Sequence, residues 1–152
     1  ESTLLPSIED ATENDPEVII ADTERKLRVI AAAKRFLYHR GYVIKKIINN
    51  NPVFDIIAVE DDPEDDSSPY LVFVRVFGQL RGYYFAEPEI DRAEFEKEAI
   101  SYLKEQGDKY VGYNVRFDAI SIIVLSEDRA FIRHHINAIS CGDDLITNES
   151  ED

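Results

Sequence analysis

Val53-Phe54-Asp55-Ile56-Ile57-Ala58-Val59-Glu60 and Tyr70-Leu71-Val72-Phe73-Val74-Arg75-Val76-Phe77 are two apolar, β-rich runs on either side of a short acidic loop. Runs of this length, rich in Val, Ile and Phe and lacking clean polar alternation, fit strands buried on both faces of a sheet. The second run therefore reads as a central strand. Two charges interrupt the pattern, Asp55 in the first run and Arg75 in the second. A charge inside an apolar strand is costly unless it is paired or solvated, so these two residues are where chemistry is sought first.

Working outward, Tyr42 to Ile48 is β-branched and Asn49-Asn50-Asn51-Pro52 punctuates it, which predicts an antiparallel hairpin with the strand from Val53 to Glu60. Upstream, Leu27, Ile30, Ala33 and Leu37, supported by Val29 and Phe36, recur at helical spacing from an N-cap at Asp22 or Thr23 to a stop at Gly41. Downstream, residues 78–90 carry two glycines and a proline and read as an irregular connection. Asp91 with Glu94 matches a capping box, and Phe95, Ala99, Tyr102 and Leu103 give a second helix its apolar face up to Gly107. Val115 to Leu125 reads as another buried strand, Ser126 to Arg129 as a turn, and Ala130 to Ile136 as a short last strand. The expected order is α-β-β-β-α-β-β, an α/β fold with a central mixed sheet flanked by helices.

The chain has 152 residues, 44% of them hydrophobic, enough for one sizeable core. Residues 1–22 and 141–152 are acidic, poor in core pattern, and predicted to be disordered tails around a single domain at 23–140. No apolar run approaches a membrane span, so a cytoplasmic protein without membrane contact is expected. The one cysteine, Cys141, excludes an internal disulfide and a multi-cysteine zinc site. A net charge of -14 argues against tight nucleic-acid binding, because such binders neutralise phosphates with Lys and Arg. The charge is concentrated, however. Residues 24–140 carry 19 acids against 17 bases, and six of those acids lie in Glu60 to Asp66. Arg25, Arg28, Lys34 and Arg35, with Lys26 and Arg40, fall on the expected solvent face of the first helix and form the best candidate surface for weak nucleic-acid contact or an acidic partner.

Several strings, in order, carry a resemblance: Ala33 through Leu37 to Gly41-Tyr42, Asp55-Ile56-Ile57-Ala58, Leu71-Val72-Phe73-Val74, Tyr102-Leu103, Arg116-Phe117-Asp118 and His135-Ile136-Asn137-Ala138. Together they resemble the YraN-like family of small bacterial proteins over residues 24–139. That resemblance implies a restriction-endonuclease-like fold of the PD-(D/E)-x-K type. Members are usually assigned as endonucleases, in which acids and a lysine on adjacent strands hold a divalent metal and polarise water. The motif is degenerate here. Asp55 matches the family aspartate, but Val53 stands where a glutamate belongs, Arg75 replaces the metal-binding glutamate, Phe77 replaces the lysine, and Ile30 falls at the helix glutamate. A cation cannot ligate Mg²⁺ and a phenyl ring cannot activate water. The expectation is an inactive nuclease-fold protein acting as a binding or structural module with an unidentified protein partner, no metal and no cofactor.

The alternative is a Mg-dependent endonuclease, or another nucleic-acid-processing enzyme, whose site has migrated to Asp55 with Glu87 or Glu89. Two readings of Asp55 itself stand: an ion pair with Arg75, or a strand-end carboxylate that is solvated or hydrogen-bonded to the Asn49 to Asn51 turn. His134 and His135 are adjacent on a strand and so point to opposite faces, one packed and one at the surface. Tyr83-Tyr84-Phe85 suits core packing or a homo-oligomer contact.

Overall fold

The computed structural model describes residues 16–48, 51, 53–61, 68–80, 85, 89–126 and 128–138. Within them the chain runs α1 (Pro16–His39), β1 (Val43–Ile47), β2 (Ile56–Glu60), β3 (Tyr70–Leu80), α2 (Arg92–Glu105), β4 (Asn114–Ser126) and β5 (Arg129–His135). The strands form one five-stranded sheet in the order β1-β2-β3-β4-β5. β1, β2 and β3 pair antiparallel in sequence, β3 and β4 are parallel, and β5 returns antiparallel on β4. The one parallel pair needs a crossover, and α2 supplies it. The fold is therefore α/β with a mixed central sheet and a helix on each side, as the residue pattern predicts.

Alternation along the strands divides the core in two. Ile56, Ala58, Val72, Val74, Ile120 and Ile122 face α1, where they meet Val29, Ala33 and Leu37. Ile57, Leu71, Phe73, Val115 and Phe117 face the other way with Phe54 and receive Phe95 and Ala99 of α2. Leu37, Ile56, Ile57, Leu71, Phe73 and Ile120 are wholly buried, each worth about 1.5–3 kcal/mol of transfer free energy. Phe54 gathers the second core, with its ring centroid 4.8 Å from those of both Phe73 and Phe95.

The helix ends follow their sequence signals. Asp91 caps α2, its Oδ1 accepting from the Glu94 N–H at 3.3 Å. Gly41 ends α1 at φ +90°, and the Tyr42 N–H donates to the Leu37 carbonyl at 3.0 Å, closing a Schellman-type turn.

Three expected boundaries move. The helix begins at Pro16, inside the stretch assigned to an acidic tail at 1–22, because proline at a first helical position is preset in φ and needs no N–H partner. β2 begins at Ile56 rather than Val53, because Asn51 Oδ1 accepts from the Val53 and Phe54 N–H groups at 2.7 and 3.1 Å and bends the chain away from the ladder. β3 continues through Gly78 to Leu80, where an irregular connection was expected. Gly78 sits under α1, and a Cβ there would overlap the Val29 side chain. That glycine marks a close helix-on-strand approach, not a break.

Residues 1–15, Tyr83, Tyr84, Glu87, residues 62–66 of the acidic loop and the stretch 141–152 with Cys141 lie outside the described residues. No helix among the described residues is long and apolar enough to cross a membrane.

Candidate functional site

Asp55 lies just before β2 and is wholly buried. Its backbone joins the sheet from both sides: its N–H donates to the Val74 carbonyl and its carbonyl accepts from the Ile48 N–H, each at 2.9 Å. These bonds fix the carboxylate beside β3. Oδ2 accepts from the Val76 N–H at 2.7 Å. Arg75 Nη1 stands 3.8 Å from Oδ2, and Lys26 Nζ, from α1, stands 3.0 Å from Oδ1. Oδ1 is nonetheless buried without a hydrogen bond, so the lysine approaches at ion-pair distance but out of alignment. A buried carboxylate oxygen in that condition is uncommon and needs a reason.

Around this carboxylate the structure gathers most of the residues picked out in the sequence. Ile30 and Phe77 line a cleft of about 330 Å³ together with Arg25, Lys26, Val29 and Gly78. The Arg75 guanidinium lies 5.6 Å from the Phe77 ring centroid, a contact that holds it beside Asp55. Val53 does not join them. It is buried in the α2-side core with Phe54 and Phe95, because the Asn51 bend turns it away. Glu89 is exposed, whereas the charged neighbours of Asp55 are Lys26 and Arg75. Among the described residues no three of His, Cys, Asp and Glu converge as a metal-holding group.

Of the two readings of Asp55, the geometry is that of the ion pair. The asparagine turn bonds to Val53 and Phe54 instead. The nearer cation, however, is Lys26, which helical periodicity alone put on the solvent face. Its side chain is 55% exposed, yet its ammonium lies 3.0 Å from the buried Oδ1, so Lys26 belongs both to the solvent face of α1 and to the surroundings of Asp55. No sequence signal separates Lys26 from its basic neighbours, since its role depends on how α1 crosses β3.

A second buried polar cluster sits between β4, β5 and the end of α1. Arg116 grips Asp118 in bidentate fashion, Nε to Oδ1 and Nη2 to Oδ2, both at 2.9 Å. The same guanidinium donates to Glu60 Oε1 at 2.6 Å and to Tyr42 Oη at 2.8 Å, and lies 5.0 Å from the Tyr70 ring centroid. Asp118 also meets His134 Nε2 at 2.8 Å and accepts from the Asn137 N–H at 2.9 Å. Asn137 adopts φ +58°, a left-handed conformation that asparagine tolerates better than most residues. His134 is packed edge-on against Phe36 and Tyr42, while His135 turns to the opposite face near Ser121.

Charge and burial compete at these groups. Burial alone would raise the Asp118 pKa, but the hydrogen bonds from His134 and Arg116 and the guanidinium charge hold it below its ordinary 3.8. Burial would pull Arg116 down, yet its bonds to Asp118 and Glu60 raise it above the ordinary value. The Tyr42 hydroxyl is pushed up to about 12, chiefly by burial and secondarily by the Glu60 and Asp118 carboxylates, against the opposing Arg116 charge. The cluster is thus a fixed array of Arg116 between two carboxylates, of which Asp118 has both oxygens fully engaged.

No family model and no curated protein matches the chain. The reading of both clusters therefore rests on their geometry.

Proposed function

We propose that this protein is a YraN-like, restriction-endonuclease-like domain that has given up metal-dependent cleavage and works as a binding module. The observation that carries the reading is the environment of Asp55. A buried carboxylate stands where such an enzyme would hold a divalent ion, and Lys26 and Arg75 supply positive charge there instead. Ile30 and Phe77, at the positions expected of an acid and a lysine, add apolar surface to the cleft beside it. Cations cannot ligate a metal, and a lysine and an arginine together repel one.

The element order supports the fold-family part of the reading. So does the way two of its strings meet: the Asn137 N–H bonds to Asp118, and the Ala138 N–H donates to the Phe117 carbonyl at 2.7 Å. Residues about 20 apart that are bonded to each other form one structural unit, which is a better basis for resemblance than separate apolar strings.

Titration calorimetry with Mg²⁺ and Mn²⁺ on the wild type and Asp55→Asn tests the proposal. The expected result is no saturable heat in either protein. Binding in the wild type that disappears in the variant, accompanied by Mg²⁺-dependent cleavage of branched or single-stranded DNA, would overturn it and restore the migrated-site enzyme.

A further inference from the structure

A second cleft lies away from Asp55, between α1 and the turn joining β4 to β5. Arg28 and Arg35 of α1 and Arg129 at the start of β5 line it, with Ala31, Ala32 and Ala130 between them. All three arginines are exposed, and none has an ion-pair partner within reach among the described residues. This sets them apart from Lys26, Arg75, Arg92 and Arg116, each of which is paired to a carboxylate. The one acid among the described residues of the cleft, Asp128, accepts from the Ser126 hydroxyl at 3.0 Å.

Three guanidinium groups without an ion pair among the described residues, around a small-residue floor, make an anion site, and we propose that its partner is an acidic protein segment. Arg28 and Arg35 are seven residues apart on one helix, which puts them on the same face about 10 Å apart along its axis. An extended chain crosses that gap in about three residues, so carboxylates at that spacing reach both. Guanidinium groups bind carboxylates in parallel, two-bond geometry. Between them the floor of Ala31, Ala32 and Ala130 suits small apolar side chains better than a sugar-phosphate backbone. Nucleic acid is further disfavoured because three cations neutralise few phosphates. The inference sharpens the binding-module reading by naming a partner class. It does not depend on the state of the metal position at Asp55.

The test is fluorescence anisotropy with the full chain and two labelled probes at low and moderate salt. One probe is a twelve-residue peptide of repeated Glu-Ala-Ala; the other is a DNA 12-mer, single- or double-stranded. Peptide binding that weakens about tenfold in Arg35→Ala, and by a similar factor in Arg28→Ala or Arg129→Ala, supports the proposal. Because all three side chains are exposed, each variant keeps its fold, which a thermal melt verifies. Tighter binding of DNA than of peptide, with the same arginine dependence, overturns it in favour of nucleic acid. Absence of binding by either probe, or peptide binding that the three substitutions leave unchanged, overturns it outright. Metal binding at Asp55 would upset the inactive-module reading without altering these outcomes.

Discussion

Asp118 and Asp55 are both wholly buried in the same sheet, yet the protein treats them in opposite ways. Asp118 accepts two bonds from one guanidinium, one from a backbone N–H and one contact from an imidazole, so its lone pairs are used and its geometry is over-determined. Among the described residues the Asp55 side-chain oxygens accept one hydrogen bond, from Val76, and Oδ1 is left to the misaligned ammonium of a lysine whose side chain is half in water. A fully satisfied buried network is a structural device that ties strands to one register. A half-satisfied one, next to a cleft, keeps part of the carboxylate's bonding capacity unused. The contrast teaches that burial of a charge alone does not separate the two positions; the bonding capacity left over does.

The largest expected effect is on Asp118. Asp118→Ala leaves Arg116 buried with Glu60 as its remaining carboxylate, and removal of one partner from such a pair costs about 3–5 kcal/mol in urea unfolding. A loss near 1 kcal/mol would mean that the network is dispensable and would dissolve the comparison. The next effect concerns how α1 is seated at the Asp55 end. Gly78→Ala forces a methyl group into Val29 and is expected to cost about 1–3 kcal/mol by overpacking. Combining it with Val29→Ala relieves the clash, so the double variant is less destabilised than the sum of the two single changes. Plain additivity would show that the close approach is not what glycine serves.

Acid titration separates the two aspartates in another way. The Asp118 pKa is held below its ordinary 3.8 in the folded state, so the unfolded chain takes up its proton first as pH falls. Its contribution is fully present above pH 3.8 and is lost as pH drops through the lower folded value. The slope of stability against pH in that acid window is therefore expected to be shallower in Asp118→Asn than in the wild type. Parallel slopes, read by urea unfolding across the window, would assign the acid sensitivity to other carboxylates.

The order of elements was legible in the sequence because periodicity, the Asp91 cap and the Gly41 stop are local signals. The parts that were not legible depend on contacts between distant segments. Gly78 looked like a breaker until Val29 was placed above it, and Pro16 looked like part of a tail until the helix was seen to start there. The Asp55 and Arg75 charges stood out in apolar runs, so half of that site could be found in advance. Lys26 could not, because one basic residue on a helix face resembles its neighbours until the helix is laid on the sheet. The Arg116 cluster was visible only as two short strings; their bonding through Asn137 and the grip on Glu60 and Tyr42 join residues up to 74 positions apart.

The smallest expected effect completes the comparison from the Asp55 side. Lys26→Met removes the nearer cation but keeps a flexible side chain of similar length. Because the lysine side chain is half exposed and its ammonium misaligned, its ion pair is of the screened kind, worth up to about 1 kcal/mol, and added salt should diminish that difference further. Asp55 keeps the Val76 N–H and Arg75 in the variant, so the carboxylate is not stranded. Urea unfolding at low and high salt reads both quantities. A loss as large as that of Asp118→Ala, and indifferent to salt, would make Lys26 a true counterpart of Arg116 and Asp55 a closed structural centre. A small, salt-sensitive loss keeps Asp55 as the weakly occupied position of the two.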